Sequence, residues 1–237
     1  MSEFLYGINP AFEAILAGRR QLIRLYLNQG SEQNPRLRKL AQVAEKYQVK
    51  IESVDKSRLF DLCQTREHQG CVLETGAFPY TPFAEMLGES RLLLLDNIED
   101  PHNVGAIART AEALGWRNLL LPRRGCPLLL PSVIKAAAGA CEFLQVAVNC
   151  AANQYVKIAL DEGYIVVSLD ASGQIPLEEV KSLQLEKMLL VVGGENTGVS
   201  QFILNNSTHI AAIKQTGKIN SLNASVAAAL ALYLLGK

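Results

Sequence analysis

The stretch Leu92-Leu-Leu-Leu-Asp-Asn-Ile-Glu-Asp-Pro-His-Asn-Val-Gly-Ala-Ile-Ala-Arg-Thr110 decides the fold. Its run of leucines reads as a strand buried on both faces. Polar residues and Pro101 then turn the chain, and the apolar spacing over Val104–Leu114 predicts a helix. The same rhythm recurs downstream, with strands expected at Asn118–Leu121, Tyr164–Leu169 and Met188–Val192, a short one at Ile210, and a helix at Asn153–Asp161. Strands alternating with helices imply an α/β domain with a mostly parallel sheet covered on both faces. The last element, Ser221–Leu235, is rich in alanine and nearly free of charge. Such a helix is expected to be buried, in the core or against a second subunit.

Ahead of this domain the pattern describes a smaller α/β unit. Strands are expected at Leu22–Leu27, Val49–Val54 and Cys71–Glu74. Helices are expected at Asn34–Tyr47, with Pro35 in the first turn, and at Ser57–Cys63, capped by its serine. The segment Gly76-Ala-Phe-Pro-Tyr-Thr-Pro-Phe83 is turn punctuation. The expected organisation is a front domain over residues 1–76, a linker over 77–90 and the larger domain over 91–237.

Composition narrows the function. Hydrophobic residues make up 49% and charged residues 19% of the 237-residue chain, which excludes a disordered protein. Lys+Arg and Asp+Glu balance at 23 each, so a basic surface for nucleic acid has to be local. Residues 1–76 carry a net charge of +2 and the remainder −2, a small bias toward a nucleic-acid-facing front. Cys63, Cys71, Cys126, Cys141 and Cys150 form an odd set without a Cys-x-x-Cys pair. Free buried thiols in a reducing cytosol are therefore expected, with neither a disulfide framework nor a metal. The N-terminus lacks the basic-then-apolar order of a signal peptide, and no apolar run approaches the ~20 residues that span a bilayer. The expectation is a soluble cytoplasmic protein. His68, His102 and His209 are scattered, and no Gly-x-Ser-x-Gly elbow occurs, so hydrolase readings fade.

Three loops, each following an apolar strand, hold candidate chemistry. In the first, Asn103 lies before the helix, Gly105 allows close approach and Arg109 follows one turn later, a combination suited to a phosphate or oxyanion. The same residues also read as a helix cap and a surface charge. The second loop, Val192-Gly-Gly-Glu-Asn-Thr-Gly-Val-Ser200, needs a sharp turn or a backbone pressed against a ligand, and Glu195 can accept hydrogen bonds from a ribose or an amide. It is neither a dinucleotide fingerprint nor a Walker loop. The third runs from Ile210 through Gly217 to Ser221-Leu-Asn223, with Ser221 as the expected cap of the terminal helix. Backbone amides, amide side chains and hydroxyls on apolar walls would suit an adenine-bearing ligand.

Taken in order, Asp100-Pro-His-Asn-Val-Gly-Ala-Ile-Ala-Arg-Thr110, Gly193-Gly-Glu-Asn-Thr-Gly198 and Ser221-Leu-Asn-Ala-Ser-Val-Ala-Ala-Ala229 resemble the three motifs of the SpoU (TrmH-type) RNA ribose 2′-O-methyltransferases of the SPOUT class. The front segment, from Tyr6-Gly-Ile-Asn to His68-Gln-Gly, is similar to the L30e-like substrate-binding domain of the family's 23S rRNA guanosine methylators. The resemblance implies a trefoil-knotted sheet and S-adenosyl-L-methionine bound bent against Gly193, Gly194, Ile213, Leu222 and Asn223. It implies a homodimer with shared active sites, no metal, and a catalytic set of Arg109, Asn103, Glu195, Ser221 and Asn223. In that scheme Arg109, steadied by an RNA phosphate, eases loss of the 2′-hydroxyl proton. A guanidinium holds its proton firmly, which makes an electrostatic role on the developing alkoxide an equal alternative.

The chain departs from the pattern at Lys214-Gln215, where Pro-Met is common, at Ala137–Ala138, where serine is frequent, and in a terminal helix without its usual acidic residue. The leading expectation is a methyltransferase acting on a guanosine of 23S rRNA. A tRNA enzyme comes next, and an RNA-binding or ribosome-assembly factor that has lost catalysis, motivated by Lys214-Gln215, is the alternative of another class.

Overall fold

A computed structural model describes residues 2–218 and 221–236. Ile219 and Asn220 of the third loop, and Lys237, lie outside the described residues.

The chain forms two compact units, Met1–Pro79 with Leu129–Phe143, and Tyr80–Leu128 with Leu144–Lys237. The first contains β1 (Glu3–Tyr6), α1 (Ile8–Ala17), β2 (Leu22–Asn28), α2 (Pro35–Lys46), β3 (Lys50–Val54), α3 (Lys56–Cys63) and β4 (Cys71–Thr75). Its four-stranded sheet runs β1-β4-β2-β3, with β2 and β3 parallel and the β4 pairings antiparallel. Tyr6, Tyr26, Val54, Leu59 and Val72 form one core of this unit. β1 and α1 have no counterpart in the sequence-based expectation.

In the second unit β5 (Arg91–Asp96) leads into α4 (Pro101–Ala113) and β6 (Asn118–Leu120). After α5 (Pro131–Ala136), which belongs to the first unit, come β7 (Gln145–Ala147), α6 (Ala152–Asp161), β8 (Ile165–Leu169), β9 (Ile175–Pro176), α7 (Leu177–Ser182), β10 (Met188–Gly193), α8 (Gln201–Asn206), β11 (His209–Ala212) and α9 (Ala224–Leu235). The seven strands stand in the order β7-β6-β5-β10-β8-β11-β9, each pairing parallel. Leu92, Leu94, Leu189, Val191 and Val166 are buried with Tyr155, Tyr164 and Phe83, as apolar central strands require. Tyr155 meets Phe83 edge-on at 4.9 Å between ring centres.

Several boundaries differ from expectation, each for a local reason. α3 is capped by Asp55, whose Oδ1 accepts from Arg58 N at 2.8 Å, which leaves Ser57 inside the first turn. α4 starts at Pro101, because Asp100 caps it and proline is pre-set for a first turn. Asn103 is thus helical and caps nothing. α9 starts at Ala224 with Asn223, not Ser221, as its cap. Nor is α9 buried all round: Val226, Leu230 and Tyr233 are 47%, 41% and 73% exposed. Of the five thiols only Cys71 and Cys141 are buried; Cys63, Cys126 and Cys150 are half-buried. Burial pushes the Cys71 and Cys141 thiols up to about 12, and the partial loss of solvent at Cys126, with the Asp96 charge nearby, does the same there.

The interval over 77–90 crosses from the first unit to the second. Phe78 is buried in the first unit, while Phe83 and Met86 are buried in the second, and Phe83 N donates to Asn149 Oδ1. Residues 129–143, expected in the larger domain, belong to the first unit, where Glu142 meets Arg20. Arg20 Nε donates to Glu142 Oε2 at 2.9 Å, both side chains are fully buried, and Arg20 also pairs with Glu3 and stacks on Phe78 at 4.9 Å. Removing one member of a buried pair strands the other charge. Glu142→Ala is expected to lower the unfolding free energy by about 3 kcal/mol, read as a lower urea midpoint; an unchanged midpoint would show the pair to be dispensable.

Candidate active site

β5, β10, β8 and β11 end on the same edge of the parallel sheet. After β5 the chain moves outward to β6, whereas after β10 it crosses to β11, so the loops at Asp96 and Gly193 diverge. A crevice at the carboxyl ends of strands, where connections part, is where open α/β sheets hold ligands.

Two glycines set the shape of that crevice. A Cβ on Gly193 would lie 2.2 Å from Gly198 C and Val199 N, and one on Gly194 would lie 1.9 Å from the Asn97 carbonyl oxygen. Backbone segments touch directly here, which only glycine permits. Gly194 N donates to the Asp96 carbonyl at 2.9 Å, and Ser200 N donates to the buried Asp96 carboxylate at 2.8 Å. The loop after β10 is therefore tied at both ends to the tip of β5.

A cavity of about 170 Å³ opens beside it, with walls from Leu169, Val192, Ile213, Leu222, Ala224 and Ala227. Its rim carries Asp170, Glu195, Gln215 and Ser221, and its floor is the glycine loop. A second, more polar cavity is lined by Asn97, Glu99, Asp100, Asn103, Asn196 and Thr197. Gly194 and Glu195 border both.

At that border the three loops are joined by hydrogen bonds. Asn103 Nδ2 donates to Glu195 Oε1 at 2.9 Å, and Asn223 Nδ2 donates to the same oxygen and to Asn103 Oδ1, the latter at 3.2 Å. Asn223 Oδ1 meanwhile accepts Ser225 N at 2.9 Å and Val226 N at 3.3 Å, capping α9. One carboxamide thus starts a helix and links two loops.

Of the residues singled out from sequence, Asn103, Glu195 and Asn223 form this cluster, and Gly193, Gly194, Ile213, Ser221 and Leu222 line the apolar cavity. Arg109 is apart from them: it is exposed on α4 and lines neither cavity. Lys214 is exposed and is not in the cavity wall, although its neighbours Ile213 and Gln215 are. Asp96 and Asp170 were missed. Both sit at the carboxyl end of a buried strand, the signal that would have found them.

Residues 90–233 match the SpoU rRNA Methylase family, and residues 4–81 match the RNA 2′-O ribose methyltransferase substrate-binding family. An uncharacterized tRNA/rRNA methyltransferase of Synechocystis is 33% identical over 98% of this chain and 61% of its own length, so this chain spans less than two thirds of that relative. Another, from Mycolicibacterium gilvum, is 32% identical over 98% of this chain and 75% of the relative. Among solved structures, the AdoMet-bound rRNA methyltransferase of Sinorhizobium meliloti aligns with a TM-score of 0.81 at 19% identity, covering 99% of this chain and 86% of that one. The SpoU methyltransferase AviRb of Streptomyces viridochromogenes, in complex with AdoMet, aligns with a TM-score of 0.80 at 20% identity, covering 99% and 89%. Parallel sheet, glycine loop and three-loop cluster define an α/β protein with a ligand crevice at the carboxyl ends of its strands. The chain belongs to the SpoU rRNA Methylase family.

Gly194→Ala has nowhere to place its methyl group but the Asn97 carbonyl. We expect a loss of about 3 kcal/mol in urea unfolding, together with a displaced loop; a variant as stable as the wild type would show that this close approach is not required.

Proposed function

We propose that this chain is an S-adenosyl-L-methionine-dependent RNA methyltransferase that methylates a ribose 2′-hydroxyl, on a guanosine of large-subunit (23S) rRNA, and that it works as a homodimer. The observation that carries the reading is the Asn103–Glu195–Asn223 cluster standing where the apolar and the polar cavity meet.

The residues fit the methyl donor. Ile213, Leu222, Ala224 and Ala227 offer apolar walls for an adenine, and the glycine loop lets backbone groups come close. Asp170 Oδ1 is engaged by Ser172 N at 2.8 Å, which leaves its other oxygen to accept from sugar hydroxyls. When bound, the donor supplies a methyl group already activated by the sulfonium charge.

The protein's part is alignment and charge. Asn103 and Glu195 face the polar cavity and orient the accepting ribose, so that oxygen and methyl stand in line. Asn223 holds both in register with the apolar cavity. Arg109, exposed on α4, suits a site completed by a second copy, where it would grip an RNA phosphate and stabilise the developing alkoxide. The exposed face of α9, Val226, Leu230 and Tyr233, supports such pairing.

Incubation with tritiated donor and separate 23S rRNA and tRNA substrates tests the reading. Label is expected in 23S rRNA as an alkali-stable 2′-O-methylguanosine. Label confined to tRNA would overturn the substrate assignment, and no label with either RNA would overturn the activity.

Arg109→Ala is expected to cut turnover by about a hundred-fold or more while leaving donor affinity, measured by calorimetry, within a few-fold. Near-normal turnover would remove Arg109 from the mechanism.

A further inference from the structure

The first unit holds a cavity that neither the methyl-transfer site nor the core of that unit uses. It measures about 700 Å³ and is lined by Lys56, Ser57, Phe60, Arg66, His68, Gln69 and Gly70. That size is in the range of small-ligand sites. Lys56 and Phe60 lie four residues apart on α3 and so share one helix face, with Ser57 beside them. Phe60 is 41% exposed and stands outside the cluster of Tyr6, Tyr26, Val54, Leu59 and Val72 that anchors α3. Among the described residues its ring enters no aromatic pair and no cation stands over its face, and Lys56 and Arg66 enter no ion pair. Among those residues, too, no carboxylate lines the cavity.

The opposite wall is rigid. Gly70, at φ +85°, donates its N–H to His68 Nδ1 at 3.0 Å, while the His68 carbonyl accepts Cys71 N at 3.0 Å and the Gly70 carbonyl accepts Asn28 N at 2.9 Å. Because Nδ1 is an acceptor, the neutral ring carries its proton on Nε2 as a donor. Burial first, then the Lys56 and Lys135 charges, holds the His68 pKa below its usual value and favours that neutral form.

An exposed aromatic face, two unpaired cations, a fixed neutral imidazole and no acid match one chemistry. We propose that this cavity binds a single unpaired RNA nucleotide, with the base stacked on Phe60, a flanking phosphate held by Lys56 and Arg66, and a base edge met by His68. The site rests on the RNA-methyltransferase reading only for the identity of the RNA. It would let the front unit select unpaired nucleotides in the substrate, since stacking platforms beside basic side chains take single strands and not closed duplexes.

The test is fluorescence anisotropy on the full chain with a labelled ten-nucleotide single-stranded RNA and with the same RNA in a duplex. The wild type is expected to prefer the single strand. Phe60→Ala should weaken it by about ten-fold and Phe60→Trp should restore it. Lys56→Ala with Arg66→Ala should weaken it and flatten its salt dependence, by about 0.7 in logarithmic slope for each phosphate no longer neutralised. Arg38→Ala, an exposed charge outside the cavity, should have little effect, and matching thermal midpoints show that each variant is folded.

Single-strand affinity unmoved by Phe60→Ala, equal or tighter binding of the duplex, or displacement of the RNA from this cavity by a phosphopeptide would each overturn the proposal. Donor binding, titrated on the same proteins by calorimetry, reports on the other site alone. If it is intact while Phe60→Ala has no effect, only the nucleotide site fails; if the wild type binds no donor, only the methyl-transfer reading fails.

Discussion

Asn223 carries the architecture of the candidate site. Its oxygen supplies what the first turn of α9 lacks, an acceptor for the backbone N–H groups of Ser225 and Val226, and its nitrogen reaches Glu195 and Asn103. A cap of this kind contributes about 1 kcal/mol. Its larger effect is positional. The direction in which α9 starts and the separation of the loops after β5 and β10 are set by one rigid amide, whose two ends cannot be satisfied in another arrangement without giving up one of them.

The same economy governs the backbone beneath it. Gly193 and Gly194 let one strand-to-helix connection lie against the connection after β5 with no side chain between. Asp96 closes the arrangement by accepting Ser200 N. Because these segments meet backbone to backbone, the cavity keeps its shape without depending on flexible side chains, and apolar residues from β8, β10, β11 and α9 are left free to line it. Preorganisation of this sort is what the proposed methyl transfer needs, since a misplacement of an ångström costs orders of magnitude in rate.

In the first unit the organising device is electrostatic. Arg20 is buried between Glu142, Glu3 and the ring of Phe78, so a segment more than a hundred residues distant in sequence is bound to the four-stranded sheet's unit. Charge buried this way is costly unless paired, which makes the residues around 129–143 part of that unit and not a free excursion of the larger one. The basic, aromatic cavity at Phe60 stands on the same unit, and among the described residues its exposed Lys56 and Arg66 enter no ion pair.

The sequence alone determined the alternation of apolar strands and helices, hence the α/β class and the parallel sheet, because burial on both faces leaves an unmistakable run of leucine and valine. It also determined that three loops carry polar and glycine residues at strand ends. It misplaced the starts of α3, α4 and α9, since Asp55, Asp100 and Asn223 compete with nearby serines and asparagines for the same capping role and local pattern does not rank them. Only the tertiary structure decided that Asn103, Glu195 and Asn223 touch, that Arg109 stands apart from them, that residues 129–143 join the first unit, and that Phe60 is left facing an open cavity. Each of these depends on residues far apart along the chain meeting in space, and periodicity reports only which face a residue prefers, not what that face meets.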